Sequence, residues 1–220
     1  MKNKTKITLE RFSTNQYRMI LEGIGVGFLT GLLVSVFRLG LEKAESLRDS
    51  VLDAAKTGGQ MLILAFAALL CAYLVVCYCG RKVPLAGGSG IPQVKGEMKG
   101  QIEQNWWQII LAKFAGGIGA IGAGLSLGRE GPSIQLGAMV GKGFSRLTNK
   151  LRTEEKMLMT CGAGAGLAGA FSAPLAGVVF SLEELHKNFS TDILLSTMAA
   201  SVTSDFVSSY IFGLSPVFGL

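Results

Sequence analysis

The residues Gly128-Arg129-Glu130-Gly131-Pro132 set an arginine and a glutamate in a stretch that is otherwise uncharged from Phe114 to Gly141. An ionisable side chain at membrane depth is expensive to desolvate, and where one occurs it marks a substrate or proton pathway. Gly128 and Gly131 let the backbone leave helical geometry. Pro132 suits the first turn of a new helix, where the N–H it lacks would have had no partner. The break aims a helix N-terminus into the bilayer, and its free N–H groups attract anions. Gly87-Gly88-Ser89-Gly90-Ile91-Pro92 repeats the device, with the Ser89 hydroxyl beside several backbone N–H groups in a nest suited to a small anion. On these residues alone, a surface Gly-Pro turn with solvated side chains remains open for both motifs.

A third polar group, Glu183-Glu184 with His186 nearby, reads first as a solvated helix end. Glu183 and His186 share the Glu-x-x-His spacing of di-metal carboxylate bundles. Such a site needs a second copy and further glutamates that the chain does not supply, so no metal site is expected. Gly117 to Gly122 spell G-x-G-x-x-G, but no strand precedes them and they lie within a helical apolar run, which excludes a dinucleotide site. No nucleophile, general base and orienting group occur together, so the chain is not read as an enzyme, and no cofactor is expected.

The composition fixes the solvent. Of 220 residues 49% are hydrophobic and only 16% charged, and 30 are glycine, about twice the usual ~7%. Small residues at this frequency suit membrane helices, whose backbones approach closely. The formal charge of +6 lies mainly between apolar runs and not in one aromatic-laced stripe, which disfavours nucleic acid as a partner. Cys71, Cys77, Cys79 and Cys161 sit in apolar runs without paired CxxC spacing and read as small buried hydrophobes.

Residues 1–18 form a basic arm, with Lys2, Lys4, Lys6, Arg11 and Arg18 against Glu10, which predicts a cytoplasmic N-terminus. A first span is expected over Met19–Leu41. The mixed but weakly acidic segment Glu42–Lys56 should lie outside, and a second span should run from Thr57 to Gly80, closed by Arg81 and Lys82. After Pro92 a short, re-entrant helix runs to about Gly100. Trp106 and Trp107 open a glycine-striped helix over Asn105–Leu127, in which Gly116, Ala120 and Gly124 give one smooth face and Lys113 is expected to snorkel rather than contribute a positive field. Ser133–Leu147 repeats small residues at Gly137 and Gly141. Its end is expected to merge into a basic cytoplasmic loop from Lys142 to Lys156. Ser172-Ala173-Pro174 divides Met157–Leu182 into two half-length helices, the mark of a transporter cavity. A last apolar segment covers Ile193–Phe212 around Asp205.

Gly88-Ser89-Gly90-Ile91-Pro92, Gly128-Arg129-Glu130-Gly131-Pro132, and Ala173-Pro174-Leu175-Ala176-Gly177 running to Phe180 and Glu183-Glu184 resemble the signatures of the CLC chloride channels and transporters. The three motifs occur in order, and the match spans nearly the whole chain. The resemblance implies an all-α integral membrane protein forming the first half of the CLC inverted-repeat fold, with spanning, tilted and re-entrant helices. Residues 19–212 would be the N-terminal half of the membrane domain, and 213–220 the start of a linker to a second half. The family's second half supplies a Gly-x-Phe-x-Pro loop and a tyrosine that do not occur here, so a fragment or a split subunit is expected.

By the same resemblance Ser89 would be the central chloride ligand, with the N–H groups of Gly90 and Ile91 beside it and with Arg129 and Gly131 completing the anion-binding set. Glu130 would be the gating glutamate and Glu184 the internal proton-transfer site. Serine at position 89, where fluoride-selective relatives carry methionine and plant nitrate exchangers proline, points to chloride. The resemblance implies chloride and protons as the partners, a homodimer with contacts around Val178–Leu182 and Ile193–Phe212, and a multi-pass location in a plasma or bacterial inner membrane. Three functions follow as alternatives: a proton-coupled chloride exchanger, a passive gated chloride channel, and an inactive half of either.

Overall fold

The computed structural model describes residues 2–56, 59–125, 127–187 and 190–213. The expected linker around Pro216-Val217-Phe218 lies outside the described residues. The elements are α1 (Lys2–Ala55), α2 (Gly59–Lys82), α3 (Ile91–Met98), α4 (Trp106–Gly122), α5 (Glu130–Leu147), α6 (Arg152–Phe171), α7 (Pro174–Phe180) and α8 (Thr191–Phe212). A single 3-10 turn, Pro84–Ala86, precedes α3, and α7 continues into a π-helical turn, Ser181–His186. Among the described residues there is no strand.

Helices α5 and α6 form the centre. Gly137 and Gly162 face each other so closely that a Cβ added to either would stand less than 3.0 Å from the other's carbonyl oxygen, and Gly141 meets the carbonyl of Leu158 in the same way. Close backbone approach through small residues is how helices associate where no hydrophobic driving force separates protein from solvent. Helix α8 packs on α6 through Ser204 Oγ and Ser208 Oγ, which donate to the carbonyls of Ala165 (2.7 Å) and Gly169 (2.8 Å). Helix α8 also meets α1, where Gly23, Gly27 and Gly31 lie against Ser196, Ala200 and Ser204. Opposite this layer, Phe37, Leu41, Ile121 and Leu136 join α1, α4 and α5 in one apolar cluster.

The apolar surface is not confined to the interior. Phe66, Tyr73 and Leu74 project outward from α2, and Leu21, Phe28 and Val36 from α1. An 18-residue stretch within Gln16–Ala55 has a mean hydropathy of 2.0 and Ala65–Lys82 one of 1.4, and only 6% of the latter is buried within the protein. A water-soluble monomer rarely exposes contiguous apolar patches of this kind.

Helix α1 carries the expected first span, Met19–Leu41, and continues without a break to Ala55, so that Glu42–Lys56 is helical to that point. The charges there are arranged for a helix, with Arg38 donating to Glu42 at i,i+4 and Lys56 to Asp53 at i,i+3. Gly124 lies beyond the end of α4 in a left-handed conformation (φ 94°). The smooth face on α2 is made instead by Gly116 and Gly119, which approach Cys79 and Val76. Cys161 is buried, but Cys71 is exposed and Cys77 and Cys79 are half-buried on α2. Lys142 belongs to no loop. It lies in α5, buried with Glu97, and the connection to α6 is only residues 148–151.

Candidate functional site: a glycine loop and two helix N-termini

The chain between α2 and α3 has four consecutive carbonyls held from outside the loop. Leu85 O accepts from Gln135 Nε2 (2.9 Å), Ala86 O from Lys113 Nζ (3.0 Å), Gly87 O from Gln93 Nε2 (2.9 Å) and Gly88 O again from Lys113 Nζ (2.7 Å). With the carbonyls drawn back, the N–H groups of Ser89, Gly90 and Ile91 make no hydrogen bond to a described backbone acceptor. Gly90 caps α3 at φ 95°, a region open to glycine, and Gln135 covers the position where a Cβ would stand. Pro92 occupies the first turn of α3, as expected.

Lys113 therefore does not snorkel. It is 4% exposed, and its ammonium ties two carbonyls of the loop. Replacing it with methionine leaves the Ala86 and Gly88 carbonyls without that partner, at roughly 1–3 kcal/mol for each group left unsatisfied. The expected result for Lys113→Met is faster amide hydrogen exchange confined to residues 84–91, with exchange in α6 unchanged.

The first turn of α5 rests on this loop. A Cβ at Gly131 would stand less than 3.0 Å from both the carbonyl oxygen and Oγ of Ser89, so only glycine permits the approach. Ser89, Gly90, Ile91 and Gly131 thus meet at the facing N-termini of α3 and α5. Glu130, the first residue of α5, is exposed and makes no ion pair with a described residue. Arg129, one residue earlier, is engaged by Glu45 of α1 at 3.3 Å. Ser133 Oγ donates to the Arg129 carbonyl at 2.8 Å and stiffens this turn.

Glu184 lies elsewhere, at the end of the π-helical turn, and its carboxylate is bound by the ammonium of Lys95. The hydrogen bond from Lys95 holds the Glu184 carboxyl below the ordinary carboxylate range. Glu183 is exposed, and the His186 ring meets Thr160 Oγ1 at 3.2 Å. Among the described residues no group of acids, histidines and cysteines could hold a metal ion. Lys95 is four residues beyond Ile91, or about 6 Å along α3. One short helix therefore carries the Ser89 loop at its start and the partner of Glu184 one turn on.

Gln135, Lys95 and Gln104 are not marked as site residues by the sequence motifs. Gln135 Nε2 reaches both the Leu85 carbonyl and Gln104 Oε1, and Gln104 in turn donates to the Gln93 carbonyl. The available signal was a glutamine in an otherwise apolar part of α5, at a depth where an amide needs partners.

Comparison with known proteins decides the family. The family described as voltage gated chloride channel matches residues 71–220. The chain belongs to that family. This CLC chain is 36% identical over 190 residues to an H(+)/Cl(-) exchange transporter ClcA of Vibrio cholerae, covering 80% of the chain and 40% of the relative. It is 36% identical over 195 residues to the transporter of the same name from Yersinia pseudotuberculosis, covering 86% and 40%. The chain thus spans about two fifths of the length of these relatives. A crystal structure of a slow cyanobacterial Cl-/H+ antiporter superposes with a TM-score of 0.82 at 31% identity, over 92% of this chain and 49% of that one. A CLC-type fluoride/proton antiporter gives 0.68 at 27% identity, over 91% and 48%. The fold is that of part of the CLC inverted-repeat architecture. The CLC chain is an integral membrane protein of a family of channels and transporters, not of enzymes.

Proposed function

We propose that the chain forms the first half of the anion pathway of a proton-coupled chloride exchanger. The observation that carries this reading is the junction of α3 and α5, where backbone N–H groups left without backbone acceptors meet beside Ser89 and Glu130. Ser89 Oγ and the N–H groups of Gly90 and Ile91 hold a dehydrated chloride, with Gly131 giving the room for α5 to approach. Glu130 is a carboxylate at the same helix end and competes with chloride for it until a proton neutralises the side chain. Glu184 passes protons to the inner side. Arg129 adds positive potential while held by Glu45. Homodimerisation is supported by an exposed apolar face on α7 and α8, with Val179, Met198, Val202 and Phe206 turned outward.

A passive gated channel is favoured by a different observation, the ion pair of Glu184 with Lys95. A carboxylate held ionised by a lysine is a poor relay for protons. The two readings separate in proteoliposomes carrying the 220-residue chain, with chloride efflux and external pH recorded together. Exchange predicts opposite, stoichiometric proton movement that is lost in Glu130→Gln. It also predicts that Glu184→Gln abolishes proton movement while chloride still passes. Chloride flux that never moves protons establishes the channel, and no flux of either ion sinks transport by this chain alone.

A further inference from the structure

Beyond the chloride pathway, α3, the start of α6 and the end of the π-helical turn enclose a cavity of about 460 Å³. Its walls bring Lys95, Lys99, Arg152, Lys156 and Lys187 together against one carboxylate, Glu184.

Three features of this basin run against local preference. Arg152 and Lys156 on α6 are a like-charged pair at i,i+4, which opposes helix formation. Arg152 and Lys156 also lie in the first turns of α6, the end at which the helix dipole disfavours cations. Lys187 adopts φ 57°, a left-handed conformation uncommon for a residue with a side chain. The carboxylates that could relieve this charge are directed elsewhere. Glu154 accepts from the Leu151 N–H and faces Arg18, and Glu155 is taken by Arg146. Lys99, Arg152, Lys156 and Lys187 make no ion pair with a described residue, while neighbouring Arg146 and Lys150 are both paired. His186 also faces the basin, and its pairing with Thr160 leaves the excess of cations in place.

We propose that this basin binds a multivalent, phosphate-bearing anion. Convergent ammonium and guanidinium groups form charge-assisted bonds with phosphate oxygens, the guanidinium in a bidentate fork, and the cavity falls in the range of small-ligand sites. A monovalent halide satisfies one cation and leaves the others repelling. The bound anion competes with Glu184 for Lys95. The phosphate belongs either to a free metabolite or to a lipid headgroup, which share this chemistry.

The test is calorimetric titration of pyrophosphate into the full chain in phosphatidylcholine nanodiscs at constant chloride. Saturable binding is expected, weakened roughly tenfold or more in Lys99→Gln/Arg152→Gln, and strengthened several-fold in Glu184→Gln, which removes the one opposing charge. Both altered bases are exposed, and Lys187→Gln provides an independent variant with the same direction of effect. Nanodiscs containing phosphatidic acid identify the source: weakened pyrophosphate binding there points to a headgroup, and unchanged binding to a free anion. No binding at millimolar pyrophosphate, or binding indifferent to all three base substitutions, overturns the proposal. The readout does not depend on transport, so a failure of the exchanger reading leaves it intact.

Discussion

Replacing Gly137 with alanine is expected to separate α5 from α6 and to destabilise the fold more than a substitution at any glycine in open space. The new Cβ would stand inside the contact distance of the Gly162 carbonyl oxygen and close to Thr30 on α1, so two helices would have to move for one methyl group. Backbone cannot rotate out of the way as a long side chain can, which puts the expected loss at or above the usual overpacking range of about 1–3 kcal/mol. The effect should reach the site, because the first turn of α5 is what presses Gly131 onto Ser89. Thermal unfolding in detergent checks this, with Gly80→Ala as the reference, since nothing lies within 4 Å of a Cβ there. Equal midpoints for the two variants would show that the α5–α6 seam yields easily.

The breaks of this fold were legible because Gly and Pro act locally. The starts of α3, α5 and α7 fall within a residue or two of the motifs that predicted them. The small residues at Gly137 and Gly141 also pointed to a close helix neighbour. Lysines at helix depth were misread for a physical reason. In a linear sequence a lone base beside an apolar run looks interfacial, and whether it is instead buried depends on a partner far away. Glu97 is 45 positions from Lys142, Gly88 is 25 from Lys113, and Lys95 is 89 from Glu184. None of these pairs has a local spacing to announce it. The cysteines of α2 failed for a related reason, because an apolar run does not say whether its faces meet protein or surroundings. Gln135 illustrates the remaining gap: a motif names the residues of the Ser89 loop, but not the side chains that hold the loop's carbonyls aside.

The buried pair Lys142–Glu97 should tolerate double replacement far better than removal of the lysine alone. Lys142 is 2% exposed and Glu97 3%, and the ammonium also donates to the Gln104 carbonyl. Removing only the cation in Lys142→Met strands a carboxylate whose Oε2 already lacks a partner, and breaking such a pair typically destabilises by about 3–5 kcal/mol. Replacing both, as Lys142→Met/Glu97→Leu, removes the desolvated charges together and should recover most of that loss, because a buried ion pair is often matched by apolar residues of similar volume. The pair binds α3 to the middle of α5, so the single variant should also loosen the Ser89 loop through α3. Unfolding midpoints of the wild type, both single variants and the double variant close the cycle. A double variant no more stable than Lys142→Met would mean that the Gln104 carbonyl, which both variants leave without its lysine, matters more than the charge of Glu97.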